Sequence, residues 1–149
     1  MSKFIGVKMI EAAPMRASMA LSAGYKIGNA HPDDMGYEVT YPDGYKSWSP
    51  AKAFEKAYYK LEDPAGDVLK ENDIKRFIKG IENVKVGTKT TNTTLTCLTG
   101  FEVHGQAACV KPENFDLNVG SNYARIKAED KIWEGLGFVL QWAKYGLKK

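Results

Sequence analysis

Cysteine and histidine are both scarce in this chain of 149 residues, which contains two of each. Neither Cys97 nor Cys109 has a second ligand at zinc-site spacing, so no structural zinc is expected. Both cysteines lie in apolar, strand-like sequence, which favours buried free thiols over a disulfide. His31, Asp33 and Asp34 cluster beside a proline, but this composition is more typical of an exposed turn than of a metal site. We therefore expect neither a metal nor a cofactor.

Long hydrophobic runs and blocks of like charge are also absent from the sequence. No stretch reaches the roughly 18 apolar residues of a membrane-spanning helix, so no contact with a membrane is expected. Lys8 interrupts the apolar N-terminal run, and no signal-peptide cleavage site follows it. The net charge of +3 is mild, which disfavours a nucleic-acid polymer as partner but permits a small anionic ligand. These absences predict a soluble, intracellular protein.

The sequence contains enough apolar residues for a core, since 44% of the chain is hydrophobic. Strand-like and helix-like segments alternate irregularly, which predicts an α+β fold with an antiparallel sheet and helices packed on one side. The segment E-D-P-A-G at residues 62–66 is typical of a linker. We therefore expect a strand and hairpin–helix module at residues 1–61 and a sheet–helix domain at residues 67–149, packed into one compact unit.

The N-terminal module begins with a predicted strand over residues 3–13 and a helix over residues 15–23. A hairpin is predicted over residues 36–48, because Pro42, Asp43 and Gly44 form a turn between two aromatic-rich strands. Ser49 is expected to cap a helix over residues 50–60 whose first position is Pro50.

The C-terminal domain is predicted to begin with a helix over residues 67–81, which carries an incomplete apolar stripe. Threonine-rich sequence between residues 84 and 110 favours strands, with a tight turn at Gly100. Asn114 or Asp116 is expected to cap a last helix, on which Ala124, Ala128 and Ile132 recur every four residues. The segment from residue 134 to residue 137 contains two glycines and is expected to end this helix.

Aromatic residues are concentrated between residues 37 and 59. Such a cluster is typical of core and hairpin packing, but exposed rings also form platforms on which nucleotide bases stack. Tyr45 and Trp48 are the candidate stacking residues here, and Trp133 on the last helix is a further one.

Polar side chains are expected to line one face of the C-terminal sheet. On the strand over residues 101–109, alternation places His104 on the polar face, and the threonine run adds Thr94 and Thr96. This face is either a solvated sheet surface or the floor of a binding site. Arg125 and Lys127, on the last helix, are candidate partners for phosphate, although Arg125 also fits an ordinary surface arginine.

Two segments of the chain resemble segments of small tailed-phage proteins. The first contains Y-P-D-G-Y-K-S-W-S-P followed by a helix with F-E-K-A-Y-Y. The second contains G-Q-A-A-C-V-K-P-E-N-F-D and G-S-N-Y-A-R-I-K-A-E-D-K-I-W, and it is similar to the C-terminal domain of a phage accessory family long without an assigned function. The resemblance implies a non-virion phage protein. The N-terminal module also occurs joined to relatives of phage sponge proteins, which sequester the nucleotide signals of bacterial immunity.

Three functional hypotheses follow. The first is a non-enzymatic phage protein of the host bacterial cytoplasm that binds a cyclic oligonucleotide or an ADP-ribose derivative, as a homo-oligomer, through the ligand-binding residues named above. The second is an inhibitor that binds a host protein through its aromatic surface. The third is a metal-independent phosphodiesterase in which His104 near Glu102 acts as general base.

Overall fold

A computed structural model describes residues 1–149, and the chain divides into two compact units. The first unit comprises Met1–Lys60 together with Trp142–Lys149, and the second comprises Leu61–Gln141. Each unit contains a three-stranded antiparallel sheet, which confirms the predicted α+β class. Residues 142–149 belong to the first unit, in which the Met9 backbone N–H donates to the Ala143 carbonyl oxygen (3.2 Å).

The first unit is built on a sheet in the order β1–β2–β3. Its elements are β1 (Glu11–Pro14), α1 (Ala17–Ser22), β2 (Gly36–Thr40), β3 (Lys46–Pro50) and α2 (Ala51–Ala57). The predicted hairpin is present, and Gly44 takes the positive φ of 89° that its turn requires. The core of this unit consists of Ala17, Ala20 and Trp48.

Two boundaries in the first unit differ from the sequence prediction. The first strand begins at Glu11, where pairing with Thr40 of β2 starts, rather than at residue 3. Ser49 does not cap α2, because it pairs with Tyr37 in the β2–β3 ladder and its hydroxyl donates to the Pro50 carbonyl oxygen. The N-cap position is occupied by Pro50, which makes no side-chain capping bond.

The second unit is built on a sheet in the order β4–β5–β6 with a long helix on one face. Its elements are α3 (Glu71–Arg76), β4 (Ile78–Val86), β5 (Thr90–Cys97), β6 (Glu102–Ala108), a short 3-10 turn (Pro112–Asn114) and α4 (Leu117–Tyr145), whose last four residues belong to the first unit. Burial alternates along β5, where Thr91, Thr93, Leu95 and Cys97 are buried. The face that carries these residues is the one that packs against the helices, because Ile74, Leu95, Cys97, Ala128 and Ile132 form one core cluster.

The predicted helix over residues 67–81 was wrong at both ends, since α3 contains only residues 71–76 and β4 begins at Ile78. Ile78 pairs with Cys97 and Ile81 pairs with Leu95, so both isoleucines belong to a sheet ladder. The pairing register shifts between Ile78 and Gly80, which leaves Lys79 as the extra residue of a β-bulge. An apolar residue every three or four positions also fits a helix, which explains the error.

The last helix is longer than predicted and runs for 29 residues. The Asp116 carboxylate accepts the backbone N–H groups of Asn118 (2.9 Å) and Val119 (3.2 Å), so Asp116 is the capping residue. Gly135 and Gly137 do not end the helix, because neither takes a positive φ and apolar residues continue beyond them. None of the helices combines the length and the apolarity that crossing a membrane requires.

Close packing between α4 and the sheet depends on two glycines. A Cβ atom on Gly105 of β6 would overlap the Ala124 carbonyl oxygen and lie 2.5 Å from the Ala128 backbone nitrogen. A Cβ atom on Gly120 of α4 would overlap the Thr91 hydroxyl. The helix backbone therefore lies directly on β5 and β6, where a side chain on either glycine would hold it away.

The predicted linker at residues 62–66 lies within the second unit, where carboxylates hold its backbone. Asp63 accepts backbone hydrogen bonds from the N–H groups of Ala65, Asp67 and Val68. These bonds, that from Asp67 above all, lower the pKa of Asp63 because they favour its charged form. The buried Asp73 accepts the N–H groups of Glu62 (2.9 Å) and Lys70 (2.8 Å) and pairs with Arg76 at 2.8 Å.

We expect Gly105→Ala to destabilise the protein by about 2 kcal/mol or more, because the added methyl group overpacks a backbone contact. Gly135→Ala is the matched control, since nothing lies within 4 Å of its added Cβ. This control should be neutral or stabilising by up to about 1 kcal/mol through helix propensity. Chemical denaturation of both variants measures the difference. Equal stability of the two variants would contradict the direct packing of the α4 backbone on the sheet.

We expect Asp63→Asn to lower stability at neutral pH, because the amide retains one acceptor oxygen where the carboxylate has two. The folded-state pKa of Asp63 lies below its ordinary value of 3.8, so the stabilisation is complete above that value. It is lost as the pH falls through the folded pKa. Unfolding free energies of wild type and variant should therefore converge in acid. A difference that stays constant or grows as the pH falls would show that the carboxylate charge is not responsible.

Candidate functional site

A groove runs along the second unit between β4 and α4. It consists of two adjoining hollows of ≈ 420 Å³ and ≈ 300 Å³, and Ile81 and Arg125 line both of them. The groove exists because the α4 backbone contacts β5 and β6, at Thr91 and Gly105, and leaves β4 uncovered. Ile81 accordingly is 53% exposed, although its ladder partner Leu95, on the same face, is fully buried.

The larger hollow has a cationic lining. Its charged residues are Lys75, Lys79, Arg125 and Glu129. The Arg125 Nε atom lies 3.3 Å from Glu129 Oε1, and this ion pair spans one turn of α4. Lys75 pairs with Glu71 at 3.0 Å, whereas Lys79 has no acidic partner within ion-pair distance. The β-bulge at Lys79 therefore places an unpaired lysine in the same hollow as an anchored arginine.

The smaller hollow is lined mainly by amides and hydroxyls. Its polar residues besides Arg125 are Asn83, Asn118, Ser121 and Asn122. Asn83 Oδ1 accepts a hydrogen bond from the Thr93 hydroxyl (2.5 Å), which fixes the amide on β4 and leaves its nitrogen without a protein acceptor. The Ser121 hydroxyl donates to the Leu117 carbonyl oxygen (2.5 Å). Amide groups at this end can both donate and accept hydrogen bonds to a ligand.

The groove therefore joins two kinds of chemistry. Ammonium and guanidinium groups bind phosphate or carboxylate, and a guanidinium does so with two parallel hydrogen bonds. Amides match the mixed donors and acceptors on the edge of a nucleotide base. Ile81, between the two ends, offers an apolar surface to a flat ring or a sugar.

The structure places Thr94, Thr96 and His104 on the other face of the same sheet. Thr94 pairs with His104 across β5 and β6, and the Thr94 hydroxyl lies 2.9 Å from His104 Nδ1. Asn92 and Gln106 extend this chain of hydrogen bonds along the exposed face. The predicted alternation on β6 is confirmed, because Glu102, His104 and Gln106 are exposed and Gly105 between them is buried.

The sheet therefore separates Arg125 from the three polar residues with which the sequence grouped it. Lys127 also lies away from Arg125, since its Cβ is 3.0 Å from a Cβ built on Gly105 and it lines neither hollow. Helix geometry explains the difference, because two positions along α4 turn the side chain by about 200°. Arg125 is thus the one predicted ligand-binding residue that the groove contains.

Two of the three predicted stacking residues, Tyr45 and Trp48, belong to the first unit, whereas Trp133 lies on α4 and lines neither hollow. Trp48 is only 8% exposed, and its indole N–H donates to the Met15 carbonyl oxygen (2.7 Å). Its ring is therefore a core element, and stacking on a ligand would require the core to open. Tyr45 is 65% exposed, and its ring centroid lies 5.8 Å from that of Tyr41.

The sequence did not identify Lys79 and Asn83 as site residues. Both lie on β4, which was assigned in part to a helix, and the bulge that re-aims Lys79 depends on tertiary pairing with β5. Gly80 was the feature of the sequence that could have indicated the bulge, because glycine disfavours a helix interior and often marks a bulge in a strand.

One family of known proteins matches the chain, and the match lies mainly in the second unit. The phage protein (N4 Gp49/phage Sf6 gene 66) family matches residues 69–143, which is half of the chain and includes both walls of the groove. No curated protein and no solved structure matches the sequence. The phage origin expected from the sequence is therefore supported. The chain belongs to the phage protein (N4 Gp49/phage Sf6 gene 66) family.

Proposed function

We propose that this phage-encoded protein binds and sequesters a small phosphate-bearing nucleotide, without altering it chemically. The observation that carries the proposal is the position of Arg125 between a cationic hollow and an amide-lined hollow of one groove. The ligand class is the cyclic oligonucleotides and ADP-ribose derivatives that signal in bacterial defence against phages, and the site of action is the host cytoplasm.

The size and charge of the groove support this ligand class. Hollows of ≈ 420 Å³ and ≈ 300 Å³ lie within the range of small-molecule sites. Phosphates would occupy the end that contains Lys79 and Arg125, and a base would lie against Ile81 with its edge toward Asn83 and Asn122. A flexible polymer needs a longer cationic track than these few charges provide.

The ion pair with Glu129 prepares Arg125 for this role. It uses the Nε edge of the guanidinium, and the two Nη groups make no hydrogen bond within the protein. A guanidinium held on one edge loses little further side-chain freedom when it binds phosphate through the other. Glu129 is the one carboxylate that lines the groove, and it lies beside Arg125 rather than apart from it.

The outer face of the sheet is the competing site. His104 and Glu102 are both exposed on this face, two residues apart on β6. In a phosphodiesterase, His104 could act as the general base and Glu102 could hold its ring in position. The outer face lacks the phosphate-binding cations of the groove, so we favour the groove.

We expect Arg125→Ala to weaken nucleotide binding about 10- to 100-fold, the loss typical of a charge-assisted hydrogen-bonded pair. Lys79→Ala should weaken it to a smaller extent, because a lysine offers a single point charge. Lys131→Ala, an exposed cation on α4 outside both hollows, is the matched control. Isothermal titration against cyclic dinucleotides, cyclic trinucleotides and ADP-ribose isomers provides the measurement, with recovery of the intact ligand after long incubation.

Three results would overturn the proposal. If no nucleotide of the panel binds at micromolar concentration, cyclic oligonucleotides and ADP-ribose derivatives are excluded as ligands. Binding that is lost in His104→Ala but retained in Arg125→Ala would move the site to the outer face, and hydrolysis of the recovered nucleotide would establish an enzyme.

A further inference from the structure

The groove differs in charge from one end to the other. Lysine side chains line only the larger hollow, where Lys75 and Lys79 lie with Arg125. No lysine lines the smaller hollow, so a phosphate there would meet Arg125 as its one cation. Phosphate groups are therefore bound best when they lie together at the larger hollow.

Side chains that can match the edge of a base lie at the opposite end. The amides and the hydroxyl of the smaller hollow are those of Asn83, Asn118, Ser121 and Asn122. The larger hollow is lined by no amide or hydroxyl side chain, and its one carboxylate, Glu129, is paired with Arg125. The groove thus has a single end at which a base edge would find mixed donors and acceptors.

Asn83 has a fixed polarity at this end. Its Oδ1 atom accepts the hydrogen bond of the Thr93 hydroxyl (2.5 Å), and Thr93 is fully buried. The Thr93 hydroxyl makes no other hydrogen bond, so the Asn83 amide cannot turn over without leaving that buried proton unpaired. The Asn83 amide nitrogen therefore remains a hydrogen-bond donor for an acceptor atom of one base.

We propose that the groove takes a nucleotide with one base and adjacent phosphates, in preference to a cyclic oligonucleotide. The chemical class is a nucleoside 5′-diphosphate or an ester of one. This inference rests on the proposed function and selects between its two classes of ligand. ADP-ribose belongs to the favoured class, because its two phosphates adjoin each other and its one base lies at one end of the molecule.

A cyclic dinucleotide fits this layout poorly. Its two phosphodiesters lie on opposite sides of a ring, and its two bases extend from that ring in different directions. A pose that places one phosphate beside Lys79 and Arg125 leaves the other phosphate away from the lysines. A second base would likewise meet no amide. Polar groups that lose water without gaining a partner lower the affinity.

Calorimetric titration of base-matched ligands tests the inference. ADP, GDP, CDP and UDP are compared with the cyclic dinucleotides that contain the same four bases. The tightest diphosphate should bind about 10-fold or more tightly than the cyclic dinucleotide of its base. Lys79→Ala should reduce this preference, because it removes a cation from the phosphate end. Lys131→Ala, outside both hollows, should retain it.

Inorganic pyrophosphate separates the two ends of the groove. It should bind weakly to the wild type and more weakly still to Lys79→Ala. The double variant Asn83→Ala with Thr93→Val should lose affinity for the diphosphates while its affinity for pyrophosphate stays the same. This variant removes the donor to the base together with its buried partner, so no unpaired hydroxyl is left inside the protein.

The possible failures of the inference and of the proposed function are distinct. A cyclic dinucleotide that binds more tightly than its matched diphosphate, with binding lost in Arg125→Ala, would overturn the inference and leave the proposed function standing. Equal losses of pyrophosphate and diphosphate binding in a double variant with wild-type circular dichroism would also overturn the inference, because the base would then not lie at Asn83. If neither class binds to the wild type, the proposed function fails together with the inference.

Discussion

The contact of the α4 backbone with the sheet, made without intervening side chains, is the constraint on which the second unit depends. The absence of a side chain at Gly105 allows the helix backbone to approach β6 at Ala124 and Ala128. The absence of a side chain at Gly120 allows the helix to pack directly on Thr91. Thr91 loses its hydrogen-bond partner in this contact, since its hydroxyl is buried without one. An unsatisfied buried hydroxyl costs about 1–3 kcal/mol, so the packing gained must exceed that loss.

The placement of α4 over β5 and β6 determines what the rest of the unit exposes. β4 remains uncovered, and the groove beside Arg125 forms along it. The outer sheet face carries the hydrogen-bonded chain that includes Thr94 and His104. The packing of α4 thus leaves a groove along β4 on one side of the sheet and an exposed polar face on the other.

The sequence predicted those features that are fixed locally. The turn at Asp43 and Gly44, the alternation along β6 and the buried spacing of Ala124, Ala128 and Ile132 all follow from short-range rules. The prediction failed where one spacing of apolar residues fits both a helix and a strand. Ile78 and Ile81 have a spacing that suits a helix, but both pair with β5 in the sheet. The grouping of Arg125 with His104 failed for a related reason. Which face of a sheet a helix covers is decided by tertiary contacts such as those of Gly105, and these are not visible in periodicity.

Nuclear magnetic resonance separates the groove from every other surface of the molecule in one experiment. Titration of the ¹⁵N-labelled protein with ADP-ribose and with a cyclic dinucleotide reports on each backbone amide. The groove as binding site predicts saturable shifts at Gly80, Ile81, Asn122 and Arg125 with one of these ligands, and unchanged amides at Thr94 and His104. Saturable shifts confined to the outer face, or none with either ligand, would contradict it.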